Sequence, residues 1–201
     1  MGRQDTIVLD RSFYTRDDVN ELARLLLGKV LFTRIGNQLA GGMITETEAY
    51  RGIHDRASHA YGGRMTKRTR VMYAGGGVAY VYLCYGIHSL FNVVTNVEDI
   101  PDAILVRGIA VTHGCDVIAQ RLDRKVELRF HLAGPGLVSR ALGITTGLTG
   151  LPLVRSKTGD ALWIEDRGVV VSAGQMVSSP RIGVDYAGPD AALPYRYLWS
   201  P

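Results

Sequence analysis

The segment Ile44-Thr45-Glu46-Thr47-Glu48-Ala49-Tyr50 gathers groups able to do acid–base chemistry within a few residues. Side chains of an extended chain alternate in direction, so Glu46, Glu48 and Tyr50 fall on one face. Two carboxylates and a phenol then share a surface. A carboxylate in such a set can activate water, provided that burial or neighbours adjust its pKa. An isolated Glu-Thr-Glu reads more simply as a solvent-facing strand edge, and the case for chemistry comes from the next twenty residues of the chain. Between Arg51 and Arg70 lie the cations Arg51, Arg56, Arg64, Lys67, Arg68 and Arg70 against the single acid Asp55. Glu48 is therefore expected at the rim of a positively charged site.

The whole chain carries only +4 at pH 7, so most of its excess charge sits in this one loop. A basic loop beside aromatic-tipped strands has the makings of a groove for a polyanion, which makes nucleic acid the leading partner. Tyr80 and Tyr82 share a strand face, while Tyr85 falls at a hairpin turn. Strand aromatics are most often core or cross-strand pairs. An exposed turn aromatic has no such packing role and suits insertion into a base stack. His54 and His59 with Glu48 match no familiar zinc spacing, and Cys84 and Cys115 stand outside any CxxC or Cys/His arrangement. No metal site is expected.

A scaffold for these groups can be read along the chain. Thr15 and Asp18 have capping-box spacing, and Val19, Leu22, Ala23 and Leu26 continue at helical spacing up to Gly28. Lys29 to Ile35 and Gln38 to Glu48 form a hairpin about Gly36-Asn37. Arg51 to Gly77 is a long loop, a length that is uncommon unless functional. Val78 to Leu83 and Leu90 to Thr95 make a second hairpin, and Ala103 to Val111 another strand. Helices are expected around Asp116 to Leu122 and from Leu137 to Leu142, the latter opened by Gly134-Pro135-Gly136. Short strands near Leu162 to Ile164 and Val169 to Val171 precede a terminal stretch holding Tyr195-Arg196-Tyr197. Nothing marks a repeat, linker or domain boundary, so residues 1–201 read as one α+β domain.

Composition agrees. With 201 residues, 46% hydrophobic and 21% charged, the chain can bury a core unaided, and it is neither a disordered tail nor a coiled coil. Val71 to Val97 carries no charged residue, yet its tyrosines, asparagines and glycines would be costly in lipid. No membrane span is expected. The start lacks a signal-peptide pattern, and Met1 to Thr6 fits only the loose myristoylation pattern.

Glu46-Thr47-Glu48-Ala49-Tyr50, His59-Ala60, Gly62-Gly63-Arg64-Met65-Thr66, Arg68-Thr69-Arg70, Val81-Tyr82, Tyr85-Gly86 and Asn92-Val93, in this order, closely resemble the alkyladenine (3-methyladenine) DNA glycosylase family. The likeness extends upstream to Phe13-Tyr14 and downstream to Gly134-Pro135-Gly136, Arg181-Ile182-Gly183 and Asp185-Tyr186-Ala187. It implies a single mixed domain with a curved antiparallel sheet, surrounding helices and a protruding β-hairpin that enters DNA. It implies no metal or organic cofactor. By position, Glu48 matches the general base that deprotonates the attacking water, and Arg107 an arginine near that water and the backbone phosphate. Tyr50 matches the aromatic on one face of the extruded base, with His59 and Tyr82 on the other. Asn92 matches the asparagine that disfavours guanine-like bases, and Tyr85 the intercalating tyrosine. Arg64, Lys67, Arg68 and Arg70 are expected on phosphates, and Thr69, which replaces an asparagine of the mammalian pattern, is expected to be harmless. The compact chain looks bacterial.

The partner implied is double-stranded DNA containing damaged purines, met by a cytoplasmic, nucleoid-associated monomer. Two rivals predict different residues. A non-catalytic damaged-DNA binding module leaves Glu48 without a purpose, and a bifunctional glycosylase/lyase needs an amine nucleophile from Lys29, Lys67, Lys125 or Lys157.

Overall fold

The computed structural model describes residues 7–156 and 158–200. Met1 to Thr6, with the myristoylation pattern, and Lys157 lie outside them. In chain order the elements are β1 (Ile7–Val8), α1 (Arg11–Tyr14), α2 (Val19–Leu25), β2 (Val30–Ile35), β3 (Gln38–Tyr50), β4 (Ala79–Cys84), β5 (His88–Thr95) and β6 (Asp102–His113). There follow α3 (Cys115–Leu122), β7 (His131–Ala133), α4 (Pro135–Leu142), β8 (Ala161–Asp166), β9 (Met176–Ser179) and β10 (Arg196–Trp199).

One open antiparallel sheet organises the chain in the order β1-β8-β2-β3-β6-β5-β4. The protein is α+β, as expected. Thirteen-residue β3 is the spine: its first half pairs with β2, its second half with β10, and β6 runs along its other side. The ladder between β3 and β6 shifts register on either side of Glu46, where Gly108 stands opposite. A Cβ on Gly108 would lie 3.0 Å from both Glu46 and Thr45, so any larger residue would crowd the irregularity. Such bulges re-aim side chains next to sites. Buried aliphatics from α2, α3 and α4 pack on the sheet around Leu22, Leu26, Ile44, Ile104, Ile109, Ile118, Val138 and Leu142.

Two sequence expectations about elements need correction. A short helix that was not expected, α1, capped by Asp10, precedes the expected one, and Asp18 begins α2 by accepting from the N–H groups of Asn20 and Glu21. Thr15 closes α1 rather than opening α2. Val169 to Val171 is not a strand; its valines instead press on Gly28, whose positive φ of 81° would also resist a side chain. The terminal Tyr-Arg-Tyr cluster, by contrast, does enter the sheet through β10, pairing with β3 and β9.

The long loop from Arg51 to Gly77 is built from short 3-10 turns. Thr69 organises it. Its hydroxyl accepts from the Thr66 N–H at 2.8 Å and donates to the Arg64 carbonyl at 2.9 Å, and its own N–H donates to Thr66 Oγ1. Thr69 is completely buried. The replacement of asparagine at this position therefore falls on the knot of the basic loop, and threonine fills that role with its own hydroxyl.

Candidate active site

A cavity of about 320 Å³ opens between β4, β5, the basic loop and the segment after Pro180. Tyr50, His59, Tyr82, Tyr85, Asn92 and Arg107 all line it. Six of the site residues named from the sequence are thus brought together. Its size suits a small flat ligand in an apolar setting.

The aromatic wall comes from alternation along β4. Tyr80 and Tyr82 share a face with ring centroids 5.5 Å apart, and His59 from the loop meets Tyr82 edge-on at 4.6 Å. His59 Nδ1 lies 2.8 Å from the Tyr80 hydroxyl. Burial, helped by the nearby Arg68 charge, pushes the His59 pKa down to about 4, and burial pushes Tyr80 up to about 12. Both are neutral at pH 7. Asn92 is buried on β5 and donates its amide N–H to the carbonyls of Tyr80 and Leu90.

Glu48 departs from the expected rim position: it has no exposed surface and sits behind the cavity wall. Its contacts are with groups that do line the cavity. Tyr50 donates its hydroxyl to Oε2 at 2.7 Å, and the Ile182 backbone N–H donates to Oε1 at 2.8 Å. Arg107 Nε stands 3.4 Å from the same Oε1. Burial raises the carboxyl pKa, while Arg107, the Ile182 N–H and Tyr50 pull it back without cancelling the rise. The Tyr50 phenol is held well above its usual range by burial and by the Glu48 charge, so it stays a donor.

Glu46 explains how Arg107 is aimed. Its Oε1 accepts from Arg107 Nε at 3.0 Å and from Arg196 Nε at 2.6 Å. Placing Glu46 on the face of Glu48 and Tyr50 was correct despite the bulge, but its role as an anchor for two arginines depends on β6 and β10. Arg181 was seen only as part of a motif. It is buried, donates to both carboxylate oxygens of Asp55, to the Ala49 carbonyl at 2.9 Å and to the Asp190 carbonyl at 3.2 Å. Burial would lower its pKa, and Asp55 more than offsets this. Asp55 is thus a buried partner rather than a stray acid of the basic loop.

The β4–β5 turn projects Tyr85 beside the cavity with 90% of its surface exposed, with Ile87 close behind at 75%. Tyr85 and Gly86 both take positive φ, 51° and 71°, which is uncommon for a tyrosine. Ile87 had no distinguishing signal in the sequence. Arg64, Lys67, Arg68 and Arg70 are exposed on the neighbouring loop, and none joins an ion pair among the described residues.

Comparison with known proteins gives one consistent result. Residues 12–200 match the family described as methylpurine-DNA glycosylase. A protein of Chlamydia felis is 42% identical over 192 residues, covering 95% of this chain and 95% of its own. One of Desulfitobacterium hafniense is 40% identical, covering 94% and 93%, and one of Bdellovibrio bacteriovorus 39% identical, covering 95% and 94%. The names of all three read 3-methyladenine DNA glycosylase.

Proposed function

We propose that this chain, which belongs to the methylpurine-DNA glycosylase family, is a base-excision repair enzyme that flips alkylated or deaminated purines from duplex DNA and hydrolyses their N-glycosidic bond. The observation that carries this reading is the fully buried Glu48, tied to Tyr50, Arg107 and Ile182 in the wall of an aromatic cavity. Candidate bases are 3-methyladenine, 7-methylguanine, hypoxanthine and ethenoadenine. The reading takes residues 1–201 as one catalytic domain acting as a cytoplasmic monomer on the nucleoid. Among the described residues no helix is long and apolar enough to cross a membrane.

Extrusion comes first. Tyr85 enters the duplex in place of the departing nucleotide, while Arg64, Lys67, Arg68 and Arg70 hold phosphates. The base then stacks between Tyr50 on one side and His59 and Tyr82 on the other, with Asn92 at its edge. Water entering between Arg107 and Ile182 meets Glu48 Oε1, since both groups adjoin that oxygen. As water attacks the anomeric carbon, Glu48 takes its proton and the bond to the purine nitrogen breaks, leaving an abasic site. A cationic alkylpurine leaves readily, so one carboxylate suffices where ordinary glycosides use two.

Duplexes carrying each modified purine test this by release of free base. Glu48→Gln should retain lesion binding and lose ~10² to 10⁴-fold in single-turnover release, the usual cost of a general base. Equal rates would remove Glu48 from the mechanism. We also take the enzyme to be monofunctional: Lys29 is paired with Asp166 and Lys125 with Glu127, and exposed Lys67 sits among the phosphate-facing cations. A borohydride-trapped protein–DNA adduct would overturn that.

A further inference from the structure

Tyr50 is backed by a buried cation. The Arg181 guanidinium carbon lies 4.8 Å from its ring centroid and 5.3 Å from that of Tyr195. The Arg181 side chain has no exposed surface. A cation over one face of an aromatic ring draws on the π density that would attract a second cation at the other face. Left alone, Arg181 would weaken the hold of Tyr50 on a positively charged base. Asp55 counters it, since both its oxygens accept from Arg181 and it too is buried. Screening by water is poor there, so the compensating charge has to be a fixed one.

The rest of the wall is already compensated. Arg107 faces Glu46 and Glu48, and His59 brings no charge at pH 7.

We propose that Asp55 is a specificity-determining residue, which sets the preference of the cavity for cationic over neutral purines by neutralising Arg181 behind Tyr50 without itself touching the base. This rests on the reading of the cavity as a base pocket. An uncompensated charge ~8 Å from a bound cation, at an effective dielectric of ~20, changes affinity by about tenfold or more and leaves a neutral base nearly unaffected. Because Asp55 also accepts from the N–H groups of Arg51 and Ala57, its loss also loosens the loop. Loosening acts on both kinds of base alike, so the ratio of affinities separates the two effects.

The test compares two duplexes that resist cleavage, one carrying 2′-fluoro-7-methylguanosine, which is cationic, and one carrying its neutral isostere 7-methyl-7-deazaguanosine. For each protein the readout is cationic-over-neutral affinity. Asp55→Asn should lower this ratio by about tenfold relative to wild type, and Asp55→Asn/Arg181→Met, which removes both charges, should return it to within about threefold. An unchanged ratio in Asp55→Asn, or a double variant that stays at the single variant's ratio, overturns the inference while base release by the wild type leaves the proposed function standing. A wild type that binds neither lesion better than undamaged duplex overturns the base-pocket reading and this inference with it.

Discussion

The backbone N–H of Ile182 donates to Glu48 Oε1 at 2.8 Å, joining residues 134 apart in the chain. A donor of this kind survives every side-chain substitution except proline, and with Tyr50 it fixes the orientation of the carboxylate. Burial nevertheless dominates its titration, and the pKa stays above the ordinary value of 4.5.

In the proposed hydrolysis the ionised carboxylate takes the proton of water, so the acidic limb of the kcat/KM profile should lie above the pH expected of a free glutamate. Arg107 favours the charged form. Arg107→Met should therefore move the limb to still higher pH, besides lowering the rate. A limb that stays in place or moves down in this variant would show that another group titrates.

The same shift has a cost in stability. A carboxyl whose folded pKa is raised binds more protons folded than unfolded, so stability is greatest below the unfolded pKa and falls as pH rises to the folded one. Once ionised the wild-type carboxylate bears this cost, and neutral Glu48→Gln does not. The variant should melt above wild type at pH 7.5, with the difference fading as pH falls toward 4.5. Calorimetry at the two pH values decides it; a variant that melts lower at pH 7.5 means the bonds to Ile182 and Tyr50 outweigh desolvation.

Neutralising any one of Arg64, Lys67, Arg68 or Arg70 should reduce the slope of log affinity against log salt by ~1 if that residue meets a phosphate. Thr69→Val should weaken DNA binding through a different route: the slope per cation remains, but the loop loses its knot at a cost of about 1–3 kcal/mol in stability, since the Arg64 carbonyl and Thr66 N–H lose their partner. Fluorescence anisotropy across a salt series, together with melting curves, reads both effects.

Tyr85→Ala should reduce the extruded population, seen as weaker 2-aminopurine fluorescence beside the lesion, and should weaken lesion binding more than binding to undamaged duplex. Tyr50→Ala should instead act after extrusion, on recognition and excision. If Tyr85→Ala flips bases as wild type does, exposed Ile87 is the next residue to truncate.

Both hairpins were legible because their strands are neighbours in the chain and their turns carry glycine at positive φ, Gly36 in one and Gly86 in the other. Glu48, Tyr50, Tyr82 and Tyr85 were legible from alternation and turn position for the same local reason. β9 and β10 were not, since short strands such as Arg196–Trp199 become strands only by pairing with β3 some 150 residues earlier. Arg181 and Ile182 were equally hidden. One contributes a buried guanidinium to Asp55 and the other a main-chain N–H, and neither contribution leaves a periodic mark. Burial of Glu48 was missed because a charged residue in a strand reads as exposed until the groups that cover it are known.

Pairing of β10 with the second half of β3 places Arg196 opposite Glu48 and Leu198 opposite Glu46. During translation, Glu48 leaves the ribosome long before these partners are made. Until they arrive, one flank of β3 is an open edge, Glu46 lacks Arg196, and the carboxylate behind the cavity lacks its enclosing sheet. Closing so distant a contact is slow compared with forming either hairpin. A nascent chain that has already formed its basic loop and both hairpins therefore still lacks the enclosed carboxylate on which the proposed hydrolysis depends.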